Sequence, residues 1–184
     1  MQNGHAIILE TDRLHLVDFT TDHLDDFAAM NADPHVMEYF PATLDRHQSE
    51  AMLHRLIGHR QKHGYSLFAL HLKKDARFIG FTGLLHADFK AHFTPAVEIG
   101  WRFAKFAWGQ GLGPEAAQAC LAYGFEALGL AEIVSFTAVQ NKRSINVMKK
   151  IGMQHDAADD FDHPNLPDGH FLRRHVLYRI RRDQ

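Results

Sequence analysis

Trp108-Gly109-Gln110-Gly111-Leu112-Gly113-Pro114-Glu115-Ala116-Ala117 sets a glycine-rich turn directly ahead of an alanine-rich helical run. Glycine admits positive φ and close backbone approach to a ligand, and the first turn of a helix offers unpaired N–H groups at the positive end of its dipole. The pattern is that of a phosphate-binding loop. Pro114 suits the first turn, where its missing N–H would have been unpaired in any case. Taken alone the stretch decides little, because Gly-x-Gly also closes ordinary loops.

Working outward, periodicity and breakers give an ordered set of elements. Ala6 to Phe19 reads as a strand with Leu14 and Leu16 alternating, and Thr20 or Thr21 caps a helix to about Ala32 with a stripe of Leu24, Phe27, Ala28 and Met30. Asp33-Pro34 breaks that helix. A second one runs from about Asp45 to His63 with Ala51, Met52, Leu53, Leu56 and Ile57 on its buried side, and Gly64 stops it. Tyr65 to Leu72, Arg77 to Ala87 and Pro95 to Phe103 form an antiparallel meander. After the glycine loop come a helix from Pro114 to Leu128, a strand from Glu132 to Val139 and a helix from Lys142 to Lys150. Met153 to Phe161 and His170 to Ile180 then read as a closing strand pair.

With 184 residues, 46% of them hydrophobic, the chain has enough apolar material for one core and is short for two, so a single domain over 1–184 is expected. A net charge of −2 argues against a direct nucleic-acid binder that works by general phosphate attraction. No apolar run approaches the roughly 18 to 20 residues that span a bilayer, and the N-terminus lacks a basic-then-apolar signal pattern. The expectation is a cytoplasmic protein with no membrane partner. Cys120, the single cysteine, sits mid-helix among apolar residues and reads as a buried, inert thiol. His59 and His63 share a helix face at i, i+4 spacing, but without a third ligand they predict no metal site. Oligomeric state is not legible.

Four ordered blocks carry a resemblance: Leu9-Glu10-Thr11-Asp12-Arg13-Leu14, Val97-Glu98-Ile99-Gly100-Trp101, the glycine loop itself, and Asn141-Lys142-Arg143-Ser144 leading to Lys150-Ile151-Gly152-Met153. Together they resemble the GCN5-related N-acetyltransferase (GNAT) superfamily, in the branch that includes ribosomal-protein N-terminal acetyltransferases. The resemblance implies a mixed α/β fold: a central, mostly antiparallel twisted sheet with a splayed strand pair, flanked by about four helices. It implies acetyl-CoA as cosubstrate, no metal, and direct transfer to a primary amine. A protein N-terminal α-amine is the first choice of acceptor, and a small amine such as an amino acid, polyamine or antibiotic is the alternative. A non-catalytic acyl-CoA-binding module is the rival from another class. Trp108 at the first loop position is usual in the branch, whereas Pro114 stands where a Thr is common and removes one N–H.

The resemblance also assigns residues. An amine protonated at neutral pH must lose a proton before it attacks a thioester, and the leaving thiolate needs a donor. Glu98 is the candidate base, its other reading being an exposed strand carboxylate or a structural partner for an arginine. Ser144 is the candidate donor to the sulfur, and Asn141 would order the pantetheine while capping its helix, a role Asn fills in many proteins. Backbone from Ile99 through Trp101 and Arg102 to Phe103 would pair with the cofactor's amides, and Gly100 marks either a bulge there or a plain packing position. Trp108, Gly109, Gln110, Gly111, Leu112 and Gly113 would hold the pyrophosphate. The carboxylates Asp156, Asp159, Asp160 and Asp162 read as a solvated turn that could also draw a cationic acceptor.

Overall fold

The computed structural model describes residues 6–182. Its strands, β1 (Ile7–Glu10), β2 (Leu14–Asp18), β3 (Leu67–Leu72), β4 (Phe78–Ala87), β5 (Ala96–Phe103), β6 (Glu132–Ala138), β7 (Gln154–His155), β8 (Phe161–Asp162) and β9 (Arg174–Arg181), form one sheet in the order β1-β2-β3-β4-β5-β6-β9-β7, with β8 also on β9. Helices α1 (Leu24–Ala32) and α2 (Arg46–His63) cover one face, and α3 (Leu112–Ala122) and α4 (Lys142–Lys150) the other.

Every neighbouring pair is antiparallel except β5 and β6, which run parallel and meet at a single bridge, Glu98 to Val134. Parallel neighbours need a long crossover, and here α3 supplies it. Because pairing is confined to one bridge, the strands open from each other beyond it. That splay creates the cleft.

Two packed layers hold β5 in place. Leu14, Leu16, Phe68, Ile79, Ile99, Ala116, Ala117, Cys120 and Ile133 form the core beneath α3 and α4. Phe19, Phe27, Met30, Leu53, Leu56 and Phe81 form the core beneath α1 and α2. Cys120 is fully buried, and burial raises its thiol pKa. Asp45 caps α2 by accepting from the Gln48 N–H, Gln48 returns the bond, and Gly64 closes the helix at φ 77°.

Several elements differ from the sequence reading. Ala6 to Phe19 is a hairpin, turned where Thr11 N–H donates to the Leu14 carbonyl and Thr11 Oγ1 accepts from Leu14 N–H. On α2, Ala51 is exposed, and only Ser49, Leu53 and Leu56 are buried. The third helix begins at Leu112, two residues before Pro114, and after Ala122 widens into a π turn over Tyr123–Ala127. The wider turn lays Gly124 against Ile133, where an added Cβ would lie 2.7 Å from that side chain. Met153 to Phe161 is not one strand: Asp156 accepts from Ala158 N–H and folds a 3₁₀ turn between β7 and β8. β9 starts at Arg174, because His170 to Arg173 form a turn.

Candidate active site

The glycine loop is built by two positive-φ residues, Gly109 and Gly111, both at 74°. Gly111 is the N-cap of α3, a left-handed position that a β-branched residue would occupy only with strain. A Cβ at Gly109 would meet nothing within 4 Å, so the space before the loop is open. The hairpin turn between β1 and β2 braces the loop from behind. Thr11 Oγ1 donates to Glu115 at 2.6 Å, Arg13 pairs with the same carboxylate, and Arg13 also donates to the Gln110 carbonyl at 2.9 Å. The first and third sequence blocks are therefore two halves of one hydrogen-bonded unit.

β5 divides its side chains between two faces. Ile99, Trp101 and Phe103 pack toward α3 and α4, whereas Glu98 and Arg102 face the α1 and α2 side with Gly100 between them. The register of β5 against β4 is unbroken from Ala96 to Phe103, so Gly100 does not mark a bulge. The close approaches belong instead to β4, where a Cβ on Gly80 would lie 2.1 Å from the Arg102 carbonyl oxygen. On the open edge, Ser135 Oγ donates to the Ile99 carbonyl at 2.9 Å and Trp108 Nε1 to the Phe103 carbonyl at 2.8 Å. Trp108 thereby ties the loop to the end of β5. By alternation, the backbone groups of Trp101 face the same opening.

The cleft between these elements has a volume of about 720 Å³. It is lined by Glu98, Ile99, Trp101, Arg102 and Phe103, by Trp108, Gly109, Gly111, Leu112 and Gly113, and by Asn141 and Ser144. Gln110 is absent from that lining. Its side chain folds back to donate to the Phe106 carbonyl at 2.8 Å, and its own carbonyl is held by Arg13.

At the start of α4, Asn141 accepts from Ser144 N–H at 3.1 Å and donates to Thr137 Oγ1 and to Ser144 Oγ at 2.9 and 3.0 Å. Trp101 Nε1 donates to the same Ser144 oxygen at 3.3 Å. Two donors occupy the lone pairs of this hydroxyl, which leaves its O–H as the group to offer a ligand. Capping and ligand contact are thus compatible roles here.

Glu98 lies within the cleft with no hydrogen bond or ion pair among the described residues. Burial alone raises its pKa to about 8, so it holds its proton at neutral pH far more than an ordinary carboxylic acid. The reading of Glu98 as an arginine's partner does not hold.

The far wall was not legible in the sequence. Tyr39, Phe40 and Pro41, from the segment between α1 and α2, face His163, Leu172 and His175 from the last loop and β9. His163 is lowered to about 4, by burial and then by the charge of His175, so both sides of this wall are largely uncharged at neutral pH. Arg143 lies over the Trp108 ring and pairs with Glu38 across the cleft mouth. The aspartates of the terminal segment are engaged elsewhere. Asp159 pairs with Arg179, Asp160 with His155 and Asp162 with Arg173 and Arg174, and none lines the cleft. Arg179 and Arg181 both pair with Glu132. His59 is held by the Tyr65 carbonyl and by His86 N–H, and no metal-binding cluster occurs among the described residues.

Residues 13–154 match the model of the acetyltransferase (GNAT) domain. The chain belongs to the GNAT acetyltransferase family. The uncharacterized protein YkkB of Bacillus subtilis is 32% identical over 148 residues, which cover 80% of this chain and 85% of that protein. Among solved structures, the ribosomal L7/L12 α-N-protein acetyltransferase in complex with coenzyme A superimposes with a TM-score of 0.78 at 15% identity, covering 97% of this chain and 99% of the other. The spermidine N-acetyltransferase of Vibrio cholerae in complex with CoA and spermine does so with 0.73 at 16%, covering 92% and 96%. The fold of this GNAT enzyme is therefore that of its family, with the splayed β5 and β6 at its centre. Among the described residues no helix is long and apolar enough to cross a membrane.

Proposed function

We propose that this chain transfers an acetyl group from acetyl-CoA directly to a primary amine held in the cleft. One observation carries the reading: a carboxyl without a protein partner, Glu98, and a serine with a spare O–H, Ser144, line the same cavity that the glycine loop opens into. The donor set fits coenzyme A. Amides at Gly109 to Gly113 suit the pyrophosphate, Trp101 and Phe103 backbone suits the pantetheine amides, and Lys150 adds positive charge along the cleft. When bound, acetyl-CoA supplies an activated acyl carbon and a thiolate leaving group.

The remaining chemistry falls to the protein. Glu98, once deprotonated, removes the proton from the incoming ammonium directly or through one water, and its poise near neutrality matches that task. Ser144 donates its O–H to the departing sulfur. The uncharged wall from Tyr39 to Pro41 excludes bulk water from the acceptor side.

For the acceptor we propose an α-amine, as found at a protein or peptide N-terminus, with a small amine as second reading because Tyr39 and Phe40 narrow that end of the cleft. The lone buried thiol supports a reducing, cytoplasmic setting. The test is a panel of peptides and small amines assayed for CoA release and for product mass. Stoichiometric acetylated amine supports the transfer reading. Tight acetyl-CoA binding with no product from any amine would instead identify an acyl-CoA-binding module.

A further inference from the structure

Among the described residues, Arg102 is the one buried arginine or lysine, and the catalytic reading leaves its side chain without a task. It is 7% exposed, lines the cleft, and has no carboxylate partner among the described residues. Its guanidinium lies 4.1 Å from the centre of the Phe40 ring and 5.2 Å from that of Phe81, and one nitrogen donates to Asn31 Oδ1 at 2.5 Å. Asn31 in turn donates to Ser49 at 3.2 Å. Two aromatic rings and one amide oxygen hold the fork in position, yet they supply no counter-charge. Removing a cation from water without an anion is costly, so buried charges are as a rule paired, and here the buried Arg102 Nε has no hydrogen-bond partner at all.

Position on β5 gives that ligand a shape. Glu98, Gly100 and Arg102 occupy alternate residues on one face, so the carboxyl and the guanidinium stand at the two ends of a strip whose middle carries no side chain. Four strand residues at ~3.3 Å each set their Cα atoms about 13 Å apart, and both residues line the same cleft, as do Phe40 and Phe81, the two rings beside the guanidinium. Positive charge prevails there, because Arg143 is matched by Glu38 while Lys150 and Arg102 are not matched by any lining carboxylate other than Glu98.

We infer that the acceptor carries a carboxylate as well as its amine, joined through several bonds, and that Arg102 receives the carboxylate while Glu98 meets the amine. This rests on the transfer reading above and narrows its acceptor to amino acids of the ω-amino type or peptides with an acidic group near the N-terminus. It disfavours polyamines, whose second cation would lie against Arg102.

The test compares β-alanine, γ-aminobutyrate, ε-aminocaproate and acidic peptides with their own carboxamides, and with spermidine. Both kcat/KM for acetylation and equilibrium binding to the CoA-loaded protein are measured. Acids should exceed their amides by roughly tenfold to a hundredfold in either readout, with a chain-length optimum. In Arg102→Met that acid-to-amide ratio should collapse toward one, and Arg102→Lys should restore part of it. A wild-type protein that binds and acetylates acid and amide alike, or prefers spermidine, overturns the inference, and this outcome needs no variant to fold. Arg102→Met with an unchanged ratio would also overturn it and leave Arg102 as a pin between β5 and Asn31. Selective binding of the acids without acetylation of any amine would support Arg102 and refute the transfer reading separately.

Discussion

If Glu98 is the base proposed above, its raised pKa ties the protein to pH in two measurable ways. With its pKa near 8, the base form grows as pH rises, so kcat/KM should climb from pH 6 and level off above about 8. Glu98→Gln should lower turnover by roughly 10²- to 10⁴-fold near neutrality and abolish that limb, apart from the part set by the amine's own titration. Full activity across pH 6 to 9 in the variant would remove Glu98 from the mechanism. Stability provides the second readout. Because the folded state holds the proton more tightly than the unfolded chain, the contribution of Glu98 is fully present below its ordinary value of 4.5 and is lost as pH rises to about 8. The melting temperature of Glu98→Gln should therefore gain on the wild type over that interval and run parallel above it. For Ser144→Ala, turnover should fall more than acetyl-CoA affinity, since Asn141 keeps its cap on α4 through the backbone N–H. Equal losses in activity and folding would reduce Ser144 to a capping neighbour. Both residues were named through the resemblance of their sequence blocks to the GNAT superfamily. The local pattern does not show that Glu98 lacks a partner or that Ser144 Oγ accepts a second bond beside that from Asn141, since the one depends on every element around the cleft and the other on Trp101, 43 residues away.

At the scale of the element, the glycine loop and the β1–β2 turn act together. Gly111→Val forces a branched side chain into a left-handed N-cap and should remove most of the protection that CoA gives against heat, while a folded variant with unchanged affinity would dissociate the loop from the pyrophosphate. Arg13→Ala is milder. It removes the brace on Gln110 and Glu115, so CoA affinity should fall severalfold while the ligand-free melting temperature changes little, as expected for a half-exposed ion pair. A large drop in ligand-free stability with unchanged affinity would make the brace merely structural. Legibility here follows local against distant causes. Gly64 announces the end of α2 through backbone geometry that only glycine adopts readily, so it was readable, whereas Pro114 drew the start of α3 two residues past the Gly111 cap. The π turn at Tyr123–Ala127 answers to Ile133 and Leu84, and the broken β7 and β8 answer to pairing with β9, none of which leaves a local periodic signal.

Over the whole molecule, function comes from one topological choice: a parallel neighbour, β6, placed beside β5 in an otherwise antiparallel sheet and joined to it by a single bridge. The resemblance, with which the order of elements agreed, foretold the mixed α/β sheet, yet the far wall of Tyr39, Phe40, His163 and His175 was hidden, because its two sides are 120 or more positions apart in the chain. Arg102 was legible only as backbone of β5, because the Asn31, Phe40 and Phe81 that hold its guanidinium lie far from it in the chain. The most direct measurement is a crystal structure of the protein with CoA. The pyrophosphate should lie on the amides of Gly109 to Gly113, the pantetheine along the open edge of β5, and the sulfur within hydrogen-bonding reach of Ser144 Oγ on the side facing Glu98. A CoA whose pyrophosphate sits away from the loop, or whose sulfur ends outside the β5–β6 opening, would contradict the account.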